Sequence, residues 1–181
     1  MQGKDMNMLA LKPGDYFPNI SVSQYQGTKL ELAYPRKGFE WQLIAVYRGK
    51  HCPLCTRYLQ SLNALVDEFH AIGIDVVAVS SDTLDKVETQ LEDVKPKFNV
   101  GYGLNVNQMK TLGLLITEPR PDIGISSHFS EPALFVLNQE GKVIVVDISN
   151  VPFARPDLQT VLKGVTWLRS QPSSFPITGS Y

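Results

Sequence analysis

The sequence predicts an α/β domain, a central mixed sheet flanked by helices, and three observations lead to it. Two segments, Trp41–Tyr47 with the continuous apolar run Leu43-Ile44-Ala45-Val46, and Ile74–Val79, have the length and apolar content of strands covered on both faces. Each is followed by a stretch whose apolar residues recur at helical spacing, so the chain reads strand, helix, strand, helix, an order that requires crossovers and hence parallel pairing. Further on, residues 133–137 and 143–148 are separated by Asn138-Gln139-Glu140-Gly141 and read as an antiparallel hairpin, which makes the sheet mixed.

The remaining elements follow in order. Pro13-Gly14-Asp15-Tyr16-Phe17-Pro18 is a turn leading into an extended segment, Asn19 to Val22, and Gln26-Gly27 marks a second turn before Leu30 to Leu32, together an N-terminal β extension. After the first strong strand, Cys52 suits an N-cap, Pro53 the first helical position, and Gly73 the stop. Leu54, Tyr58, Leu62, Leu65 and Phe69 form one helical stripe, and Cys55, Leu59, Leu62 and Val66 the adjoining one, so Cys55 is predicted to face inward and Cys52 outward. Ser81-Asp82 is read as the cap of a helix carrying Leu84, Val87, Leu91 and Val94 and ending before Pro96. Between Asn99 and Phe129 the pattern weakens to a short helix, Gln108 to Leu112, and a loop, Glu118 to Asp122. A final helix over Asp157 to Arg169 points Leu158, Val161, Leu162, Val165 and Leu168 at the core.

With 43% hydrophobic and 19% charged residues, the 181-residue chain has the make-up of one domain, residues 1–181, with segments 1–12 and 171–181 as loose tails. A formal net charge of −1 offers no electrostatic basis for binding nucleic acid or an anionic membrane. Lys4, Asp5, Lys12 and Asp15 interrupt the first twenty residues, so neither a secretory signal nor a membrane span is expected there, and the expected location is the cytoplasm. No nicotinamide or flavin fingerprint is found: Gly101-Tyr102-Gly103-Leu104-Asn105-Val106 lacks the third glycine.

The chemistry rests on the only two cysteines, in Arg48-Gly49-Lys50-His51-Cys52-Pro53-Leu54-Cys55. A strand that delivers a Cys-x-x-Cys pair to a helix start puts a thiol where unpaired backbone N–H groups and the helix dipole favour the thiolate. Thiol–disulfide exchange needs that thiolate and a second thiol close enough to resolve the mixed disulfide, which two intervening residues provide. Cys52, at the cap, is read as nucleophile and Cys55 as resolver, with Arg48, Lys50, His51 and Arg57 as candidate cations. A closed zinc site wants four ligands, and His51, His70 and His128 are the only histidines, with His70 about five helical turns from Cys52, so no metal is expected. His128 is read as structural, and Arg120 and Arg155, each beside prolines, as loop residues. A redox-inactive module that uses a strand edge or the loop Glu118 to Asp122 to hold a partner is the alternative of another class.

The order strand, Cys-x-x-Cys, helix, strand, helix, then a proline opening a terminal hairpin and a last helix resembles the thioredoxin fold. In that family a cis proline faces the active-site loop, and Glu131-Pro132-Ala133-Leu134-Phe135 looks like its counterpart. Cys55 and Pro132 are far enough apart to hold an inserted strand and helix, as in peroxiredoxin-like proteins. The opening Pro13-Gly14-Asp15-Tyr16-Phe17-Pro18 is similar to that of the alkyl hydroperoxide reductase and thiol-specific antioxidant superfamily. The resemblance departs at the peroxidase motif Pro-x-x-x-Thr-x-x-Cys: laid on Cys55, it puts Arg48 at the proline and Cys52 at the threonine, and no arginine lies between Asp122 and Gly141 where the family's peroxide-polarising arginine belongs. The loop is most similar to redoxins with Arg-Gly-x-x-Cys-Pro-x-Cys. The resemblance implies a thiol-dependent oxidoreductase without a cofactor, supported by Pro132, Arg48 and His51. Its substrate would be a protein disulfide or a hydroperoxide and its reductant thioredoxin, glutaredoxin or a low-molecular-weight thiol; for assembly, a homodimer is the frequent default. For a hydroperoxide the superfamily's alignment gives the attacking role to Cys55 and the resolving role to Cys52.

Overall fold

The computed structural model describes residues 11–181; residues 1–10 of the expected N-terminal tail lie outside the described residues. A seven-stranded mixed sheet runs through the molecule. Its strands are Ser21–Gln24 (β1), Lys29–Glu31 (β2), Trp41–Val46 (β3), Ile74–Val79 (β4), Asn99–Tyr102 (β5), and, after the short pair Ile116–Thr117 (β6) and Phe129–Ser130 (β7), Ala133–Leu137 (β8) and Val143–Ile148 (β9). The sheet order is β2-β1-β5-β4-β3-β8-β9, with β6 and β7 in a separate two-stranded ladder. β3, β4 and β5 are parallel, in register Val46↔Val79 and Val79↔Gly101, while β8 returns antiparallel to β3 and β1 antiparallel to β5. The helices are Pro53–Ala71 (α1), Leu84–Val94 (α2), Val106–Thr111 (α3) and Leu158–Arg169 (α4).

Alternation along the central strands divides the interior into two layers. Leu43, Ala45 and Tyr47, with Val76, Ala78, Leu134 and Val136, face α1, α2 and α4 in one cluster that also contains both cysteines. Ile44, Val46, Val77, Val79 and Phe135 face the other way, onto the N-terminal extension and α3. Every second residue thus serves a different core, which is why the sequence shows unbroken apolar runs there rather than alternation with polar residues.

The differences from the sequence reading are local. β1 starts at Ser21 rather than Asn19, because its pairing is set by the antiparallel register with the edge strand β2, which begins at Ser21↔Glu31. β5 itself lies in the stretch where the apolar pattern fades. A Cβ on Gly101 would meet Val22 Cγ2 at 2.6 Å, so the strand trades a side chain for close approach of β1. The cap of α2 is Thr83, not Ser81-Asp82. α3 begins at Val106 because Asn105 and Gln108 form a reciprocal capping box. Segment 171–181 holds no regular element; Phe175 stands edge-on to Trp167 with ring centroids 5.5 Å apart. Among the described residues no helix is long and apolar enough to cross a membrane.

Candidate active site

The site lies where β3 and β4 end, at the carboxyl edge of the parallel strands, where crossovers leave a crevice. After Val46 the backbone makes one more sheet bond, Tyr47 N–H to Val79 O at 3.1 Å, and then turns sharply. Gly49 has φ +133°, and a Cβ there would lie 2.6 Å from Asp82 Oδ2, so only glycine fits both the angle and the space. Asp82 fills that space from the end of β4 and accepts the Lys50 N–H at 2.7 Å. This is why it does not cap α2. Gln90 of α2 adds a second tie, donating from Nε2 to Thr56 Oγ1 at 3.0 Å and to Gly49 O at 3.4 Å.

The turn delivers Cys52 to the N-cap of α1. Cys52 has extended backbone angles, Pro53 follows at the first helical position, and the Cys55 N–H donates to Cys52 Sγ at 3.2 Å. A sulfur therefore replaces the usual cap oxygen as acceptor of the Cys55 N–H. Both cysteines are free thiols. Cys55 is 0% exposed, as its stripe predicts, but Cys52 is 2% exposed and not outward-facing. The correction follows from the turn: Asp82 and Gln90 draw the loop back over the helix end, and Cys52 closes the same cluster as Tyr47 and Cys55.

The thiols are electrostatically unequal. Cys52 is lowered to about 6, first by a hydrogen bond from the Cys55 thiol, against the opposing effect of burial, and further by the Cys55 N–H, Arg155 and Arg48. Cys55 is pushed up because it donates that hydrogen bond and because it is buried, with Arg155 acting in the opposite direction. The pair thus favours one negative charge at neutral pH, carried by Cys52, with the proton kept on Cys55.

Arg155, read from sequence as a loop residue, donates from Nη2 to Cys55 Sγ at 2.7 Å. Its Nε donates to Pro152 O at 3.2 Å, and its guanidinium lies over the Tyr58 ring at 4.6 Å, so the side chain is fixed on both sides. It reaches the site because α4 packs beside α1, and the loop before α4 then runs past the first turn of α1. Neither periodicity nor spacing carries that information.

The other expected residues surround the loop rather than the sulfurs. Arg48 Nε lies 3.2 Å from Glu131 Oε2, and its guanidinium sits 5.0 Å from the Phe129 ring. The buried Glu131 also accepts from Thr117 Oγ1 at 2.6 Å. Glu131 was missed, although a carboxylate beside Pro132 in an otherwise apolar run was a visible signal. His51 packs its ring against Phe129 at 4.6 Å. Loss of solvation, with Arg48 and Lys86 nearby, holds its pKa below the ordinary histidine range, so it is neutral at pH 7 and adds no cation. Pro132 is buried and opens β8 with a trans peptide bond; no cis bond occurs among the described residues. Lys50 and Arg57 are exposed, and His128 lies on the exposed loop before β7. Among the described residues no three His, Cys, Asp or Glu side chains gather as a metal site, and His70 instead contacts Phe39 and Arg36 near the C-terminal end of α1.

Comparison with known proteins agrees with this geometry. The model of the AhpC/TSA family matches residues 13–146. A peroxiredoxin of Treponema denticola is 26% identical over 138 residues, covering 74% of this chain and 62% of that protein. The thiol-disulfide oxidoreductase ResA of Bacillus thuringiensis is 24% identical over 133 residues, covering 72% and 66%. The matched part therefore spans less than two thirds of either relative. Among solved structures, peroxiredoxin 6 of Arenicola marina superposes with a TM-score of 0.76 at 17% identity, over 92% of this chain and 80% of that one, a likeness of fold.

Proposed function

The chain belongs to the AhpC/TSA family, and from that premise we propose that it is a thiol-dependent antioxidant oxidoreductase of the peroxiredoxin-like type, cycling Cys52 and Cys55 between dithiol and disulfide. One observation carries the reading: a lowered thiolate at a helix N-cap has a protonated partner thiol hydrogen-bonded to it, and that partner also receives Arg155 Nη2 at 2.7 Å.

The Cys52 thiolate attacks one sulfur of a disulfide or one oxygen of a hydroperoxide. In the first case the leaving thiolate departs and a mixed disulfide remains. In the second, the O–O bond breaks, the alkoxide takes a proton to leave as alcohol or water, and Cys52 becomes a sulfenic acid. Cys55 then attacks Cys52 Sγ, loses its proton, and expels the substrate thiolate or water. Two equivalents of an external thiol, supplied by thioredoxin, glutaredoxin or a low-molecular-weight thiol, restore the dithiol. This reading sets the cycle in the cytoplasm, where such reductants keep thiols reduced, and in a homodimer.

A second reading is favoured by the Arg155 contact alone: Cys55 attacks a hydroperoxide whose oxygen Arg155 polarises, and Cys52 resolves. Treatment of the reduced protein with one equivalent of hydrogen peroxide, followed by alkylation and mass spectrometry, tests the cycle. The expected product has lost two hydrogens and resists alkylation; two thiols still alkylatable after treatment would reject it. A dimedone adduct in Cys55→Ser but not in Cys52→Ser supports Cys52 as the attacking sulfur, and the converse supports the second reading.

A further inference from the structure

The redox pair is recessed, and the surface beside it is not. Cys52 is 2% exposed, so a partner's sulfur reaches it only when the partner is held closely against the first turn of α1. An open groove of about 560 Å³ lies there, between the N-terminal part of α1 and the loop before α4. Leu54, Arg57 and Tyr58 wall it on one side and Pro152, Phe153 and Arg155 on the other. Two connections tie it to the sulfurs. Leu54 stands between the cysteines in the first turn of α1, and Arg155, in the opposite wall, donates to Cys55 Sγ at 2.7 Å.

Two features of the groove have no use inside the molecule. Phe153 is 78% exposed, more than any other large apolar side chain except the terminal Tyr181, and Leu54 across from it is 40% exposed. Other exposed aromatics are engaged: Trp167 meets Phe175, Tyr16 lies under Lys142, and the Tyr34 hydroxyl donates to Asn19 Oδ1. Among the described residues Phe153 stacks on no ring and lies under no cation. The second feature is charge. The charged groups lining the groove are Arg57, Arg155 and Asp157. Arg155 is engaged by Cys55 and Tyr58, and the Asp157 carboxylate caps α4, accepting from Thr160 N–H and Oγ1 at 2.8 Å each. Arg57 is exposed and enters no ion pair among the described residues. The uncommitted charge is therefore positive.

We infer that this groove docks an extended segment of a partner protein carrying the disulfide exchanged at Cys52, with apolar side chains on Phe153 and Leu54 and an acidic one beside Arg57. The inference rests on the thiol–disulfide cycle proposed above and narrows its substrate to a protein disulfide. Hydrogen peroxide would fill a small part of about 560 Å³, a space that takes several side chains. A second copy of the chain is disfavoured because a two-fold contact sets the patch against itself and brings uncommitted positive charge against its like. In the docked complex the Cys52 thiolate attacks the nearer partner sulfur, forming a mixed disulfide. The farther sulfur leaves with the electron pair of the broken S–S bond and takes a proton from water. Cys55 then displaces the nearer sulfur, which takes the Cys55 proton, so the partner departs as a dithiol and the chain as a disulfide.

The test uses short cysteine peptides activated as S-(2-pyridyl) disulfides, with released thiopyridone read by absorbance. One peptide flanks its cysteine with leucine, phenylalanine and glutamate, a second has lysine for glutamate, and a third has serine for the apolar residues. The small neutral 2,2′-dipyridyl disulfide reports the cysteines without a segment. Phe153→Ser is expected to slow the first peptide by ~30-fold, the loss typical of an anchoring aromatic, and to leave the rate with dipyridyl disulfide and the thermal midpoint unchanged. The serine peptide should be slow with the parent and insensitive to Phe153→Ser. Arg57→Glu is expected to turn a ~5-fold preference for the glutamate peptide into a preference for the lysine peptide, an effect that added salt weakens. Peptide rates that match the parent's in both variants would overturn the inference. So would a dimer in sedimentation that Phe153→Ser dissociates, or a loss in that variant confined to cumene hydroperoxide. Failure of the parent to form its own disulfide with dipyridyl disulfide would instead overturn the cycle.

Discussion

Replacing Arg155 by methionine keeps much of the packing on Tyr58 and removes the charge that donates to Cys55 Sγ at 2.7 Å. The thiolate sits on the neighbouring Cys52, so its loss is felt through space. Two unit charges ~6 Å apart at an effective dielectric of about 20 interact by ~3 kcal/mol. Partial solvent access to Arg155 reduces this to roughly half, ~1.4 kcal/mol, which is about one pKa unit. The Cys52 pKa, about 6 in the parent, should then rise to ~7. Iodoacetamide alkylation measured from pH 4 to pH 9, with thiolate absorbance at 240 nm as a second probe, reads this directly. The variant-to-parent rate ratio is expected to be near one above pH 8, about one half at pH 7, and ~0.1 below pH 5.5. Profiles that coincide throughout would show that Arg155 does not stabilise the thiolate, and the electrostatic account of the pair would fall. Because the folded thiolate is favoured, the same group contributes stability above the unfolded thiol pKa. That stability is lost as pH falls through about 6, and the urea midpoint of the parent should show a matching decline that Arg155→Met shifts upward in pH.

Three further outcomes follow from named contacts. Gly49→Ala forces a Cβ against Asp82 Oδ2 at a φ of +133°, so a loss of ~2 kcal/mol or more in denaturant stability and disrupted cap geometry are expected; unchanged stability and thiol reactivity would contradict the turn described. Asp82 is raised by burial, so its contribution to stability is present below the unfolded carboxyl pKa and lost as pH rises through the folded one; Asp82→Asn should lack this decline in urea midpoints between acid and neutral pH. Arg36→Ala removes a guanidinium that makes contacts of 2.6 to 3.1 Å to the buried Asp75 near the opposite end of β4. It should cost ~2 kcal/mol, less than a fully buried pair because Arg36 is partly exposed, with the Cys52 alkylation profile unchanged; a shifted profile would mean that the two ends of the sheet are coupled.

Residue by residue, what could be read without coordinates is what depends on neighbours in the chain. β4 and the cap and proline start of α1 agree with their sequence patterns, because a strand covered on both faces and a proline at the first helical position are local signals. β5 was not legible, since Gly101 gives up a side chain to make room for β1. The cap of α2 falls on Thr83 rather than on Ser81-Asp82, because Asp82 is committed to the Lys50 N–H across the crevice.

By itself the sequence determined the α/β class, the Cys-x-x-Cys pair at a helix entrance and the redox character these imply, all consequences of spacing along one chain. Tertiary structure alone decided that Cys52 is enclosed rather than outward, that Arg155 and not His51 supplies positive charge to the pair, and that Glu131 takes up Arg48. Burial and charge are sums over groups brought together by the packing of α4 on α1 and of β8 on β3, from positions up to 100 residues apart in the chain. Such sums leave no periodic trace in the order of residues, yet they set which sulfur ionises.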